Sequence, residues 1–194
     1  MRKSIMLTTV LAAIIATAFF ACNSSTATTA IAAAIPDSLT KVKRGEYLVN
    51  AIGCDDCHSP KRMGAHGPEV IPELRLSGFQ AKGQLPPVDT GAVKKGWALF
   101  APDLTAAVGP WGISYAANLT SDGSGLGNWK EENFIRAIRE GKYKGLEGSR
   151  PLLPPMPWTV YRNLSDDDLK SIFAYLKTVK AVNNVVPAPK PLAQ

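Results

Sequence analysis

The pentapeptide Cys54-Asp55-Asp56-Cys57-His58 constrains this chain more than any other feature in it. Two thiols three positions apart fall on one side of a single helical turn, and the next residue can swing its imidazole beneath whatever the thiols hold. That spacing attaches haem: the sulfurs add across the two porphyrin vinyl groups, and His58 offers a ring nitrogen to the iron. A redox disulfide between Cys54 and Cys57 is the competing reading, and the histidine directly after the second thiol weighs against it. One such motif implies one haem, covalently held.

What fills the iron's sixth position decides between electron transfer and ligand chemistry. Met63 and His66 follow His58 so closely that either would have to carry the chain round the ring edge within a few residues. Met156 stands about a hundred residues downstream in Pro151-Leu152-Leu153-Pro154-Pro155-Met156-Pro157-Trp158. Prolines fix backbone angles and lower the entropy lost when a loop is ordered, which suits holding a soft thioether against iron. Met156 is therefore the candidate sixth ligand; the plainer alternative is a core methionine in a turn.

The chain has 194 residues, 45% hydrophobic and 20% charged, enough for one globular domain with appendages. Arg2 and Lys3 precede an apolar run from Ile5 to Phe20, short for a permanent membrane span and suited to an export signal. A small residue before Cys22 resembles the lipoprotein processing site, after which Cys22 would carry acyl chains, although Phe19 stands where leucine is usual. An ordinary secretory signal cut nearby, or an uncleaved anchor, is the alternative. Export in any of these forms leaves Cys54 and Cys57 as the two remaining thiols of three. Without Arg2 and Lys3 the 22 basic residues fall to 20 against 16 acidic, a dispersed excess that excludes nucleic-acid binding and mildly favours an acidic redox partner.

The residues between 23 and 35 are mostly Ser, Thr and Ala and read as a tether. Thr40 to Gly53 is predicted helical, with Thr40 as its cap and Gly53 as its end. A second helix is predicted from Asn128, as cap, to Gly141, with a stripe of Phe134, Ile135 and Ile138. A third is predicted from Ser165 to Lys180, capped by Ser165 and stripe-patterned by Leu169, Ile172, Phe173, Leu176 and Val179. Asp166, Asp167 and Asp168 complement that helix's dipole rather than form a calcium site, with Lys177 and Lys180 at its far end. Between Ser59 and Gly127 the chain is rich in Gly and Pro, with short apolar runs at Trp97 to Phe100 and Gly112 to Ala116 that have room for a hairpin. The expected organisation is a lipoprotein-type signal peptide at 1–21, anchor and tether at 22–38, the main domain at 39–182, and an extended tail at 183–194.

The order helix, Cys-x-x-Cys-His, long middle loop, helix, Pro-rich Met loop and C-terminal helix resembles the single-haem cytochrome c family over roughly Thr40 to Lys180. Gly45 with Tyr47, and Ala174-Tyr175-Leu176, resemble the helix-crossing positions of that fold. The runs Ala117 to Thr120, Gly125 to Trp129 and Leu153 to Trp158 are similar to cytochromes that occur as dehydrogenase subunits or stand-alone lipoproteins of respiratory bacteria. The resemblance implies a mainly α cytochrome c fold with a long, partly irregular middle insertion, covalent anchorage at Cys54 and Cys57, and axial ligation by His58 and Met156. Asn118 and Trp129 are candidates for contacting the haem propionates or lining the pocket, and Trp158 and Tyr161 for walling the Met156 side. Arg150 is a further propionate candidate, and Trp97 and Trp111 read as core.

Three functions compete. The first is a one-electron carrier, not an enzyme, facing the periplasm or cell exterior, fed by a dehydrogenase or quinol-oxidising donor and emptied by an oxidase or another cytochrome. The second is a haem enzyme or gas sensor that displaces Met156; it lacks an evident distal acid or base, since His66 is the only spare histidine. The third is a subunit that docks a dehydrogenase at the membrane.

Overall fold

In a computed structural model the described residues are 37–192. The expected signal peptide, the lipidation site Cys22 and nearly all of the tether lie outside them.

Val42, Gly45, Leu48 and Val49 recur at helical spacing and form one face of α1 (Asp37–Ala51), with Ile52 extending the pattern just past its end. Thr40 lies inside this helix rather than capping it. Gly53 ends α1 in the left-handed region, φ 76°, which a glycine adopts without strain. The chain then turns at once into α2 (Cys54–His58), so the haem-attachment motif is itself one short helix.

Two antiparallel sheets occupy the middle of the chain. β1 (Lys61–Gly64) pairs with β2 (Gly67–Val70), Lys61 facing Val70. After a short helix α3 (Thr90–Lys94), β3 (Leu99–Phe100), β4 (Ala106–Gly109) and β5 (Gly112–Tyr115) form a sheet in that order. The hairpin for which the sequence left room is present, and a second accompanies it. A small core of Phe79, Ala101 and Ala106 lies under the larger sheet, with Phe79 and Tyr115 rings 4.7 Å apart. Trp97, expected in the core, is instead 67% exposed just ahead of the edge strand β3.

The remaining helices are α4 (Glu131–Glu140), α5 (Trp158–Tyr161) and α6 (Asp166–Leu176). Lys130, not Asn128, occupies the cap position of α4, and no side chain bonds there; Gly141 closes the helix at φ 64°, as expected. Ser165 caps α6 by accepting from Asp168 N–H at 3.1 Å. Its acidic first turn does more than meet the dipole: Asp166 pairs with Arg139 of α4 at 2.5 Å and Asp168 with Arg44 of α1 at 2.9 Å. Helix α6 stops at Leu176, four residues short of Lys180, and Lys177 donates to the carbonyls of Leu126 and Gly127 instead of its own helix end.

The main core joins α1, α4 and α6: Leu48, Val49, Phe134, Ile138, Leu169, Ile172, Phe173 and Leu176, with Leu76 and Leu126 from the loops. At the α1–α6 crossing a Cβ on Gly45 would lie 1.9 Å from the Ser171 carbonyl oxygen, so only glycine permits this approach. Tyr47, expected there, is 62% exposed, because two positions along a helix turn a side chain to the far side. Tyr175 from α6 and the fully buried Val49 fill the crossing instead. The segment read as a tail is extended but docked: Asn184 is buried, and Ile113 and Lys190 exchange both backbone hydrogen bonds, at 2.7 and 3.1 Å. Among the described residues no helix is long and apolar enough to cross a membrane.

Candidate functional site

One turn of helix carries Cys54, Cys57 and His58 together. Neither cysteine is in a disulfide. Burial pushes the Cys54 thiol up to about 12 and raises that of Cys57, so both are protonated at neutral pH. Protonated, half-buried thiols are poor redox nucleophiles, which argues against the C-x-x-C redox alternative.

His58 is fixed by its ring. Its Nδ1 lies 2.7 Å from the carbonyl oxygen of Ala117, and since a carbonyl only accepts, Nδ1 carries the proton and Nε2 keeps its lone pair. Burial lowers the His58 pKa, with the Ala117 bond opposing, so the ring is neutral at pH 7. A neutral imidazole oriented through Nδ1 is the state that ligates a metal through Nε2. The His58 carbonyl meanwhile accepts from Gly78 N–H at 2.7 Å. Gly78 is pressed so close to Ala116 and Ala117 that a Cβ would lie 2.4 Å from the Ala116 oxygen, and its φ of 73° also demands glycine.

A charged network braces this turn. Asp55 accepts from Ser59 Oγ at 2.6 Å and from Arg75 through Nε at 3.1 Å and a terminal nitrogen at 2.6 Å. Arg75 also donates to Tyr175 Oη at 2.6 Å and Asn50 Oδ1 at 2.8 Å, tying the turn to α6 and α1. Burial alone would lower the Arg75 pKa, but the bonds to Asp55 and Tyr175 outweigh it and raise it, so the guanidinium is permanently charged. Ser59, fully buried, accepts from Leu76 N–H at 2.8 Å. The sequence reading missed Arg75, Ser59 and Ala117. Asp55 and Ser59 lie in or beside the motif, but their partners Arg75 and Leu76 stand 20 and 17 residues away, where no local pattern marks them.

Met156 is partly buried and packs against the same core as Cys54, Ile52, Trp129 and Tyr161. Its loop is held by backbone groups: Leu152 N–H donates to Gly141 O at 2.7 Å and Met156 N–H to Leu153 O at 3.2 Å. Ser114 of β5 donates to the Pro154 carbonyl at 2.6 Å and accepts from Trp111 Nε1 at 3.2 Å, so the middle sheet buttresses the methionine loop. Tyr161 Oη donates to Ile52 O at 2.7 Å, linking that loop to the end of α1. Cys54 and Met156 pack against one core, and Cys57 and His58 share the turn of Cys54; two thiols, an imidazole nitrogen and a thioether are a donor set that fits haem c.

The weaker candidates have other neighbours. Asn118 is 4% exposed, and its amide is engaged by Thr120, Ser124 and the carbonyls of Val182 and Asn184, so it anchors the C-terminal segment instead of presenting a free donor. Trp129 packs half-buried on the main core. Trp158 lies against Gly141, where a Cβ would come 2.4 Å from its ring, with the Arg162 guanidinium 5.6 Å from its centroid. Arg150 is exposed, over the Tyr143 ring at 4.0 Å. Met63 and His66 both sit exposed on the β1–β2 hairpin.

No family model matches the chain. It is 32% identical over 151 residues, 77% of its length, to the fructose dehydrogenase cytochrome subunit of Gluconobacter japonicus, of which it covers 23%. It is 32% identical over 69% of its length to the gluconate 2-dehydrogenase cytochrome c subunit of Pantoea cypripedii, covering 22% of that protein. With the cytochrome c subunit of the quinone alcohol dehydrogenase of Gluconobacter oxydans it shares 27% identity over 69% of its length and 20% of the relative. The chain thus spans less than a quarter of the length of these curated relatives. Over 69–77% of its length this chain is similar to the cytochrome c subunits of dehydrogenases.

Proposed function

We propose that this protein is a one-electron carrier with a single covalent haem c, which Cys54 and Cys57 would hold and His58 and Met156 would ligate, on a cytochrome c fold. The observation that carries the reading is the His58 tautomer. With Nδ1 committed to Ala117 O, the free Nε2 stands on the same turn as two unpaired thiols. When bound, the haem supplies a reversible one-electron change at iron. Cys54 and Cys57 would bind it, Ala117 O orients the His58 imidazole toward it, and Met156 would supply a thioether, a ligand pair that favours reduced iron and a comparatively positive potential. With both faces filled, no position is left for substrate.

The names of the relatives support a dehydrogenase as electron donor, which makes this chain the electron-transferring rather than the catalytic partner. The acceptor is then an oxidase or another cytochrome. The apolar N-terminal run and Cys22 support export and lipid anchorage, facing the periplasm or cell exterior.

Mass spectrometry of the peptide spanning residues 54–58, with redox titration of the intact protein, tests this reading. The expected result is one haem mass on that peptide through two thioethers and a single one-electron wave. A haem-free peptide from cells competent for cytochrome c assembly contradicts it.

A further inference from the structure

The Lys61 ammonium sits in a ring of four backbone carbonyls. It lies 2.7 Å from Asp56 O, 3.0 Å from Ser59 O, and 3.1 Å from both Asp55 O and Asp103 O. An ammonium has three protons, so at least one is shared. Asp55, Asp56 and Ser59 bracket Cys57 and His58, so the cation closes the C-terminal end of the turn that offers the thiols and the imidazole. Positive charge is favourable there, where helix carbonyls lack partners.

The fourth carbonyl comes from elsewhere. Asp103 lies between β3 and β4, and its own carboxylate accepts from Thr105 N–H at 3.1 Å and Thr105 Oγ1 at 2.8 Å. Lys61 thus links the attachment turn to the base of the larger sheet, the sheet whose Ser114 holds the Met156 loop. Lys61 is half-buried, and no ion pair among the described residues includes it. Carbonyl dipoles solvate its charge without cancelling it. The ion pair of Arg75 with Asp55, in contrast, is nearly neutral as a unit.

We propose that Lys61 is a positioning residue of the haem site, whose caged charge both fixes the attachment turn and favours the reduced over the oxidised iron. This rests on the haem reading above. A fixed positive charge on the His58 side of the iron raises the cost of the extra positive charge on oxidised iron, and partial burial limits solvent screening.

Three purified full-length proteins test it: wild type, Lys61→Met and Lys61→Arg, compared by haem content, visible spectrum and midpoint potential. In Lys61→Met the oxidised-to-reduced ratio at the wild-type midpoint is expected to rise about threefold or more, a negative shift of about 30 mV for a one-electron couple. Lys61→Arg, which keeps the charge, is expected to stay much closer to wild type. A Met variant with full haem and the wild-type midpoint overturns the proposal. So does an Arg variant displaced as far as the Met variant, because shape alone would then be at work. If Lys61→Met retains no haem, Lys61→Gln replaces it under the same criterion. If neither uncharged variant loads haem while Lys61→Arg does, the charge is required by the turn and the proposal stands; if Lys61→Arg fails too, it falls. Absence of haem from the wild type overturns the haem reading itself, a result distinct from any of these.

Discussion

The two sides of the candidate haem site are built from different materials. The His58 side is held by charged side chains, Arg75 on Asp55 and Lys61 on four carbonyls, with the buried Ser59 hydroxyl between Asp55 and Leu76. The Met156 side is held by backbone groups, prolines, two hydroxyls from Ser114 and Tyr161, and packing on the helix core. A five-residue turn carrying two attachment points and a ligand must keep one shape, and ionic hydrogen bonds into a half-buried turn provide it. A loop offering a single soft thioether needs only to be kept near, and restricted backbone freedom suffices. The first side is therefore sensitive to single charge changes, the second to loosening of the loop.

The largest expected effect would erase the comparison altogether. His58→Ala, or Cys57→Ala, removes a ligand or an attachment point, and the covalent haem content of the purified protein should fall to a small fraction of wild type. Full loading of either variant would mean that the turn does not hold the group.

Next in size is the frame that both sides share. Gly45→Ala drives a methyl into the Ser171 carbonyl at the α1–α6 crossing, with an expected loss of about 3 kcal/mol in denaturant unfolding. A loss near zero would show that the two helices can move apart freely.

Arg75→Met isolates the His58 side. It leaves the Asp55 carboxylate with only Ser59 and strips Tyr175 and Asn50 of a donor. Because both charged groups are partly exposed, the cost should lie between that of surface and buried pairs, about 2 kcal/mol. Ser114→Ala is the matching test on the other side. It frees the Pro154 carbonyl at about 1 kcal/mol, and the sharper readout is faster entry of an external ligand to the iron, with little change at the His58 side. Equal effects of the two variants on ligand entry would break the distinction between the sides.

The smallest effect is electrostatic and depends on pH. Hydrogen bonding to Arg139 holds the Asp166 carboxyl below its ordinary value of 3.8. A lowered folded-state pKa gives stability that is present above the unfolded value and is lost as pH falls through the folded one. Asp166→Asn should therefore lower the melting temperature slightly at neutral pH, and its difference from wild type should vanish in acid. A difference that persisted once the carboxyl is protonated in the folded protein would assign the effect to something other than the charge.

The same contrast explains what the sequence disclosed. The His58 side was legible because its chemistry is contiguous: Cys54 to His58 announces attachment, and Gly53 marks the helix end before it. Its bracing was not, since Arg75 and Ala117 meet the turn only through folding of a middle segment whose strands carry little periodicity. The α6 stripe and its Ser165 cap were readable for the opposite reason, a long repeat at helical spacing. Tyr47 was misassigned because glycine plus a nearby aromatic fits the crossing in composition, while the 200° turn across two helical residues puts the ring in solvent. The role of Asn118 in anchoring the C-terminal segment was not legible either, because Val182 and Asn184 meet it only through folding.

The most direct test of the account is a carbon monoxide titration of the reduced wild-type protein beside Met156→Ala, at neutral pH. The account predicts no rapid binding to the wild type, fast and saturable binding to Met156→Ala, and a lower midpoint potential in the variant. Rapid binding to the wild type, or a variant with unchanged potential and unchanged reactivity, would contradict closure of the iron by Met156.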